Sequence, residues 1–142
     1  MTYLLDTCVL SEARRRQGHS GLKDWLRGIP ETDLFISSLT LGEIQQGIAR
    51  LTHDLARQQA LQQWLETRLR PRFQGRVLAI DAETALNWGQ LSGRGMAAGD
   101  KPPVVDALLA ATAMQHNLVL VTHNIRDFVK FPIQVFDPWA VL

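Results

Sequence analysis

Short apolar runs that alternate with helix-compatible segments constrain the fold of this chain more than any other feature. Residues 118–121 (Leu-Val-Leu-Val) contain no polar side chain, as expected of a strand that is covered on both faces. The alternation continues along the chain and favours one α/β domain with three layers and a central, mostly parallel sheet. The predicted strands are residues 2–5, 34–37, 77–80, 118–121 and 134–136.

Apolar residues at helical spacing predict the helices between these strands. Ser20 is a plausible N-cap for the second helix, and Pro30 should stop it. The segment at about 40–70 is expected to form a helical hairpin, which serves either core packing or contact with a partner. The predicted helices are residues 7–15, 20–29, 41–51, 55–69, 82–94, 104–116 and 125–129, with a loop at 93–103.

Length and composition indicate a single globular domain without disulfides or membrane-spanning segments. With 142 residues, 46% of them hydrophobic, the chain is long enough for a single domain (residues 1–142) with a substantial core. It contains no apolar run of about 18 residues and begins without a signal-peptide pattern, so we expect no membrane association. A single cysteine, Cys8, excludes an internal disulfide and fits the cytoplasm.

Four acidic residues that are far apart in sequence are predicted to lie where strands end and helices begin. They are Asp6, Glu43, Asp106 and Asp127. In an open parallel sheet, ligands bind at the carboxyl ends of the strands, and carboxylates gathered there repel one another unless a cation holds them. The pattern therefore predicts a metal site and phosphodiester chemistry. Oxygen ligands alone favour Mg²⁺, with Mn²⁺ as the other possibility.

Simpler roles exist for several of these residues. Glu43 follows Thr40 at the spacing of a capping box and can cap its own helix. Asp106, a lone charge in an apolar run, can pair with an arginine, act as a helix cap or stay exposed. The hydroxyl and amide side chains beside the acids can orient metal ligands or cap helices; these are Thr7, Ser38, Thr122 and Asn124.

Basic residues form two groups, the run 14–16 and the set Arg68, Arg70, Arg72 and Arg76. Such groups either contact phosphates or form a solvated or partner-binding face. His123 lies near the predicted metal site and is expected to face solvent, with phosphate contact as the alternative.

At these residues the chain resembles a PIN-domain ribonuclease toxin of the VapC/FitB type, over essentially its whole length. The matching segments, in order, are Leu4-Leu5-Asp6-Thr7, Thr40-Leu41-Gly42-Glu43, Asp106-Ala107-Leu108-Leu109-Ala110, Leu120-Val121-Thr122-His123-Asn124 and Phe136-Asp137-Pro138-Trp139. The resemblance implies a PIN-like α/β/α fold with a twisted sheet and Mg²⁺-dependent endoribonuclease activity on RNA. It also implies a type II toxin–antitoxin pair, in which the toxin is inhibited by a cognate antitoxin.

The resemblance also assigns roles to residues. Asp6 and Asp106 would be the principal metal ligands, with Glu43 binding metal or orienting the attacking water. The fourth acid is expected to be Asp127, with Asn124 as a polar helper, because relatives place an acid at either position. Cys8 stands where the family usually has asparagine, a stronger hydrogen-bond partner.

Family members commonly form homodimers and toxin–antitoxin hetero-oligomers, and they reach operator DNA only through the antitoxin.

The alternative to a ribonuclease toxin is a catalytically weak, nucleic-acid-binding regulatory subunit that works in complex with the antitoxin. A phospho-accepting receiver domain is disfavoured, since Asp6 has no adjacent acid and the residues directly after 118–121 are Thr122-His123-Asn124, where a receiver needs a lysine.

Overall fold

Five parallel strands form the central sheet in the computed structural model, which describes residues 1–140. They are β1 (Tyr3–Leu5), β2 (Leu34–Ser37), β3 (Val77–Leu78), β4 (Val119–Val121) and β5 (Val135–Phe136). Their order across the sheet is β3-β2-β1-β4-β5. The predicted α/β fold with a central parallel sheet is confirmed. The predicted domain limit at residue 142 lies outside the described residues.

The strand order creates a topological switch between β1 and β4. From β1 the chain builds β2 and β3 on one side and then crosses to β4 and β5 on the other. Leu5 pairs with Val121 across the switch, so Asp6 and Thr122 leave the sheet side by side. Ligands of open α/β sheets bind outside the carboxyl ends of the strands at such a point.

Helices cover both faces of the sheet. They are α1 (Thr7–Arg14), α2 (Ser20–Arg27), α3 (Ser38–Ala49), α4 (Leu55–Trp64), the single turn α5 (Arg70–Arg72), α6 (Ala82–Ala97) and α7 (Val104–His116). A π-helical segment (Leu65–Leu69) joins α4 to α5. Short 3₁₀ turns lie at Glu31–Asp33, Ile125–Asp127 and Pro138–Ala140.

Successive strand residues point to opposite faces and produce two cores. Leu5, Ile36 and Val121 pack with the buried side chains of α1, α2, α3 and the π-helical segment. On the other face, Leu4 and Leu120 pack against α7, and α6 packs outside α7. The result is the predicted three-layer arrangement.

The segment at about 40–70 consists of α3, α4 and the π-helical turn. Gln45 and Gln62 exchange side-chain hydrogen bonds of 2.7 and 3.1 Å between α3 and α4. Pro71 lies in α5 directly after the π-helical segment, and the backbone before it is helical. None of the helices in the described part of the chain has the length and apolar character needed to cross a membrane.

Two local predictions were wrong. Ser20 is not the cap of α2, because His19 precedes it and its Nδ1 accepts a hydrogen bond from the Leu22 N–H at 3.2 Å. The loop predicted at 93–103 is shorter, since α6 continues to Ala97 through two glycines. At Gly95 a Cβ would lie 2.6 Å from the Asp100 carbonyl oxygen, so this glycine permits close approach of the returning loop and does not end the helix.

Candidate active site

Asp6 lies at the start of α1, directly after β1, and is 8% exposed. Its Oδ1 accepts a hydrogen bond from the Thr7 backbone N–H at 2.8 Å. Its Oδ2 accepts from the Thr122 hydroxyl at 2.8 Å and, weakly, from the Cys8 thiol at 3.8 Å. Burial, with the charge of Asp6, raises the pKa of that thiol. The three groups that donate hydrogen bonds to Asp6 are a backbone N–H, a hydroxyl and a thiol, so Asp6 is oriented by neutral donors.

Glu43 does not cap its own helix, so the capping-box interpretation was wrong. The N-cap of α3 is Ser37, whose Oγ accepts a hydrogen bond from the Leu39 N–H at 3.1 Å. Thr40 is fully buried, and its hydroxyl has no hydrogen-bond partner in the described structure. Glu43 Oε1 instead accepts a hydrogen bond from the Thr7 hydroxyl at 2.7 Å, which links α3 to α1.

Asp106 lies in the first turn of α7 and is partly buried. Burial raises the pKa of its carboxyl group, and the nearby charges of Asp127, Asp6 and Glu43 raise it further. The fold therefore brings four acids from four separate elements within electrostatic reach of one another. Among residues 1–140, none of the four forms an ion pair with a lysine or arginine.

The segment after β4 supplies the fourth acid and a connecting hydroxyl. Thr122 is fully buried, and its Oγ1 accepts a hydrogen bond from the Asn124 N–H at 3.0 Å while donating to Asp6. Asp127 is exposed in the 3₁₀ turn that follows. The side chains of Asn124 and Ser38 make no hydrogen bond within residues 1–140, and their supporting roles remain predictions.

The chemistry of this donor set fits a hard divalent cation. Each of the four candidate ligands presents carboxylate oxygens, and Mg²⁺ typically binds through one or two carboxylates while keeping several waters. No three His, Cys, Asp or Glu side chains in the described chain are arranged closely enough to hold an ion by themselves. The geometry therefore fits a partly hydrated ion and does not fit a fully protein-coordinated one.

The sequence matches the PIN domain family model over residues 3–133. This chain belongs to the PIN domain family. Toxin FitB of Neisseria gonorrhoeae is 32% identical over 136 residues, which cover 96% of this chain and 97% of FitB. VapC ribonuclease Y4jK of Sinorhizobium fredii is 26% identical over 136 residues and 96% of each chain. A structure of FitAB bound to a DNA fragment superimposes with a TM-score of 0.90 at 30% identity, covering 99% of this chain and 98% of that one.

His123 and the segment 137–139 form a second group of side chains beside the site of this PIN domain, and their contact with one another was not predicted from sequence. His123 Nδ1 lies 3.3 Å from both carboxylate oxygens of Asp137, and its ring lies 4.5 Å from that of Trp139. Asp137 also accepts the Trp139 N–H at 2.9 Å, as in an Asx turn. Only the Asp-Pro-Trp turn signal after β5 could have indicated this group.

The arginine groups considered as phosphate contacts are largely engaged within this PIN domain. Arg72 and Arg76 both bind Glu31, with shortest N–O distances of 2.6 and 3.0 Å. Arg14 lies over the ring of Trp64 at 5.8 Å. The remaining pairs, Arg15–Glu12 and Arg70–Glu66, are exposed. Arg14, Arg72 and Arg76 thus connect neighbouring elements of the fold, whereas the pairs of Arg15 and Arg70 are local.

Proposed function

We propose that this PIN domain is a Mg²⁺-dependent endoribonuclease that acts as the toxin of a type II toxin–antitoxin pair. One observation carries the proposal. Asp106 lies within electrostatic reach of Asp6, Glu43 and Asp127 beside the switch point of a parallel sheet, and within residues 1–140 none of the four forms an ion pair with a lysine or arginine. An uncompensated cluster of carboxylates is costly unless it serves to bind a cation.

Asp6 and Asp106 would hold the ion, with Glu43 and Asp127 in support. When bound, such an ion lowers the pKa of a water molecule and stabilises the negative charge that develops on a phosphate. Mn²⁺ has the same preference for oxygen ligands and is expected to substitute.

The surrounding hydroxyls orient the carboxylates. Thr122 fixes Oδ2 of Asp6, and the Thr7 backbone N–H fixes Oδ1. The Thr7 hydroxyl binds Glu43 Oε1 and leaves Oε2 free to accept a proton from the attacking water. Cys8 donates only a weak hydrogen bond to Asp6, so some orientation is lost where the family usually has asparagine, but activity is expected to persist because the charged ligands remain.

RNA is the proposed substrate because a relative aligned over 96% of this chain is a VapC ribonuclease. We propose that the protein acts in the cytoplasm, where it would meet cellular RNA. We further propose that the chain forms a homodimer and a hetero-oligomer with a cognate antitoxin, and that it reaches operator DNA only through that antitoxin. The support for this assembly is the family relationship and the likeness to FitAB bound to DNA.

The activity is tested with purified protein on RNA, in Mg²⁺, in Mn²⁺ and in EDTA. Asp6→Asn and Asp106→Asn should each lower the cleavage rate by about 100-fold or more, because each removes a charge that holds the ion. Asp33→Asn is the matched control, since Asp33 precedes β2 at the opposite edge of the sheet. Equal cleavage by all of these proteins would indicate a contaminating nuclease.

The alternative is a regulatory subunit that binds nucleic acid with its antitoxin and cleaves weakly. The observation that favours it is the likeness to FitAB bound to a DNA fragment. Expression of the wild type and of Asp106→Asn in cells that carry an operator reporter separates the two functions. Growth arrest by the wild type alone supports the nuclease, whereas equal repression by both without arrest supports the regulatory subunit.

A further inference from the structure

A pocket beside the acid cluster has no role in the site described above. It has a volume of about 530 Å³ and lies between the last turns of α6, the loop before α7 and the segment after β4. Asp127 forms part of its wall and is the one candidate site residue that also lines the pocket. This volume lies within the range of about 300–1,000 Å³ that is usual for ligand pockets.

The charged side chains of the pocket suit a phosphate backbone. Arg94 and Arg126 line it and are exposed, and neither makes an ion pair or a side-chain hydrogen bond within residues 1–140. Lys130, also on the lining, pairs with Asp100, which lines the pocket too. The two arginines therefore differ from those at positions 72 and 76, which are already bound to Glu31.

The rest of the lining is apolar and suits the face of a base. Leu91 is 8% exposed, and Phe131 is partly buried with its ring 6.1 Å from that of Phe128. Pro103, which immediately precedes α7, completes this side. Single-stranded nucleic acid is held by this combination of aromatic stacking and basic side chains.

The wall of the pocket is formed by tightly packed backbone. At Gly95 a Cβ would lie 2.6 Å from the Asp100 carbonyl oxygen and 2.7 Å from Pro102 Cδ. The loop before α7 is thus fixed against α6, and the pocket does not need to form around its ligand.

We propose that this pocket binds one nucleotide of single-stranded RNA next to the scissile phosphate, with the base against Phe131 and the backbone phosphates on Arg94 and Arg126. The inference rests on the nuclease function proposed above. The lining favours an RNA nucleotide over a protein segment, because a nucleotide offers a phosphate for the two unpaired arginines and a base for the apolar side at once.

The test measures binding of a fluorescent single-stranded RNA to the full chain carrying Asp106→Asn, in EDTA, because the substitution slows cleavage and EDTA withholds the ion. Adding Arg94→Ala and Arg126→Ala should weaken binding about tenfold or more and make the salt dependence shallower by about 1.4 in log–log slope, for two lost phosphate contacts. Adding Phe131→Leu instead, which keeps apolar volume, should weaken binding roughly fivefold through lost stacking. Arg50→Ala with Arg57→Ala is the matched control, since both arginines are exposed and unpaired within residues 1–140; it should change binding less than twofold.

The same pocket substitutions, in a chain with all four acids intact, should raise KM for RNA while leaving kcat nearly unchanged. If this chain cleaves RNA in Mg²⁺ but the pocket variants bind and cleave like the control, the pocket assignment is wrong and the nuclease stands. If the intact chain and Asp106→Asn cleave equally poorly, the nuclease function fails and takes the assignment with it. Unchanged RNA binding together with weakened antitoxin binding would show that the pocket holds a protein segment.

Discussion

Replacing Asp106 by asparagine should stabilise the protein in EDTA and remove its stabilisation by Mg²⁺. The carboxylate of Asp106 is partly buried and lies within reach of the charges of Asp127, Asp6 and Glu43. Asparagine has nearly the same size and helix propensity but no charge, so the substitution isolates the electrostatic contribution.

The expected change in the free energy of unfolding is the difference between two opposing contributions. Repulsion from three carboxylates in a solvent-screened site amounts to about 1–2 kcal/mol. Asparagine forfeits the favourable interaction of a negative charge with the first turn of α7, about 0.3–1 kcal/mol. The net gain is on the order of 1 kcal/mol, or about 2–4 °C in Tm. With Mg²⁺ at ten times its Kd, the wild type gains about 1.4 kcal/mol that the variant largely lacks.

Thermal unfolding of the two proteins in EDTA and in Mg²⁺ is the measurement, with NaCl added to EDTA samples to match ionic strength. The variant should unfold at the higher temperature in EDTA, and Mg²⁺ should remove or reverse that difference. Asp33→Asn, at the opposite edge of the sheet, should respond to Mg²⁺ like the wild type. The reasoning would be refuted if the wild type had the higher Tm in EDTA and its Tm did not change with Mg²⁺.

Three further outcomes are expected. Glu31→Gln should lower the free energy of unfolding at neutral pH, because hydrogen bonding to Arg72 lowers the pKa of Glu31 below 4.5. In urea titrations the difference between wild type and variant should disappear as pH falls from about 5 through that lowered pKa, and a difference that stays constant with pH would contradict this. Thr122→Val should lower kcat about tenfold because Asp6 loses the hydroxyl that orients it, and Thr122→Ser should keep kcat near the wild-type value. An unchanged kcat in Thr122→Val would show that the hydroxyl only fills space. Ser37→Ala should lower the free energy of unfolding in urea by about 1 kcal/mol, and Ser38→Ala should lower it much less, because Ser37 caps α3. A larger loss for Ser38→Ala would contradict the observed cap.

The sheet and the set of acids were predictable because local sequence determines both. A wholly apolar run such as 118–121 is stable only when both faces are covered, which requires helices above and below a parallel sheet. Once the strands are parallel, the residues after β1, β2 and β4 share one edge. Asp6 and Glu43 then come together without any further information from long-range contacts.

Details that depend on two distant segments were not predictable. Thr40 and Glu43 have the spacing of a capping box, yet Ser37 caps α3 and the Thr7 hydroxyl, 36 positions away, binds Glu43. Gly95 resembles a loop residue in sequence but lies inside α6, because its role is set by the returning backbone at Asp100. Local patterns describe a turn or a cap, whereas such contacts exist only in the folded chain.

The site is oriented by neutral donors, and this choice has a physical consequence. The Thr122 hydroxyl and the Thr7 backbone N–H each fix one oxygen of Asp6, and the Thr7 hydroxyl fixes one oxygen of Glu43. A lysine or arginine in these places would orient the carboxylates equally well but would cancel their charge. Hydroxyls and amides hold the geometry while leaving the negative charge uncompensated, so the free energy of the repulsive cluster remains available to favour binding of a cation.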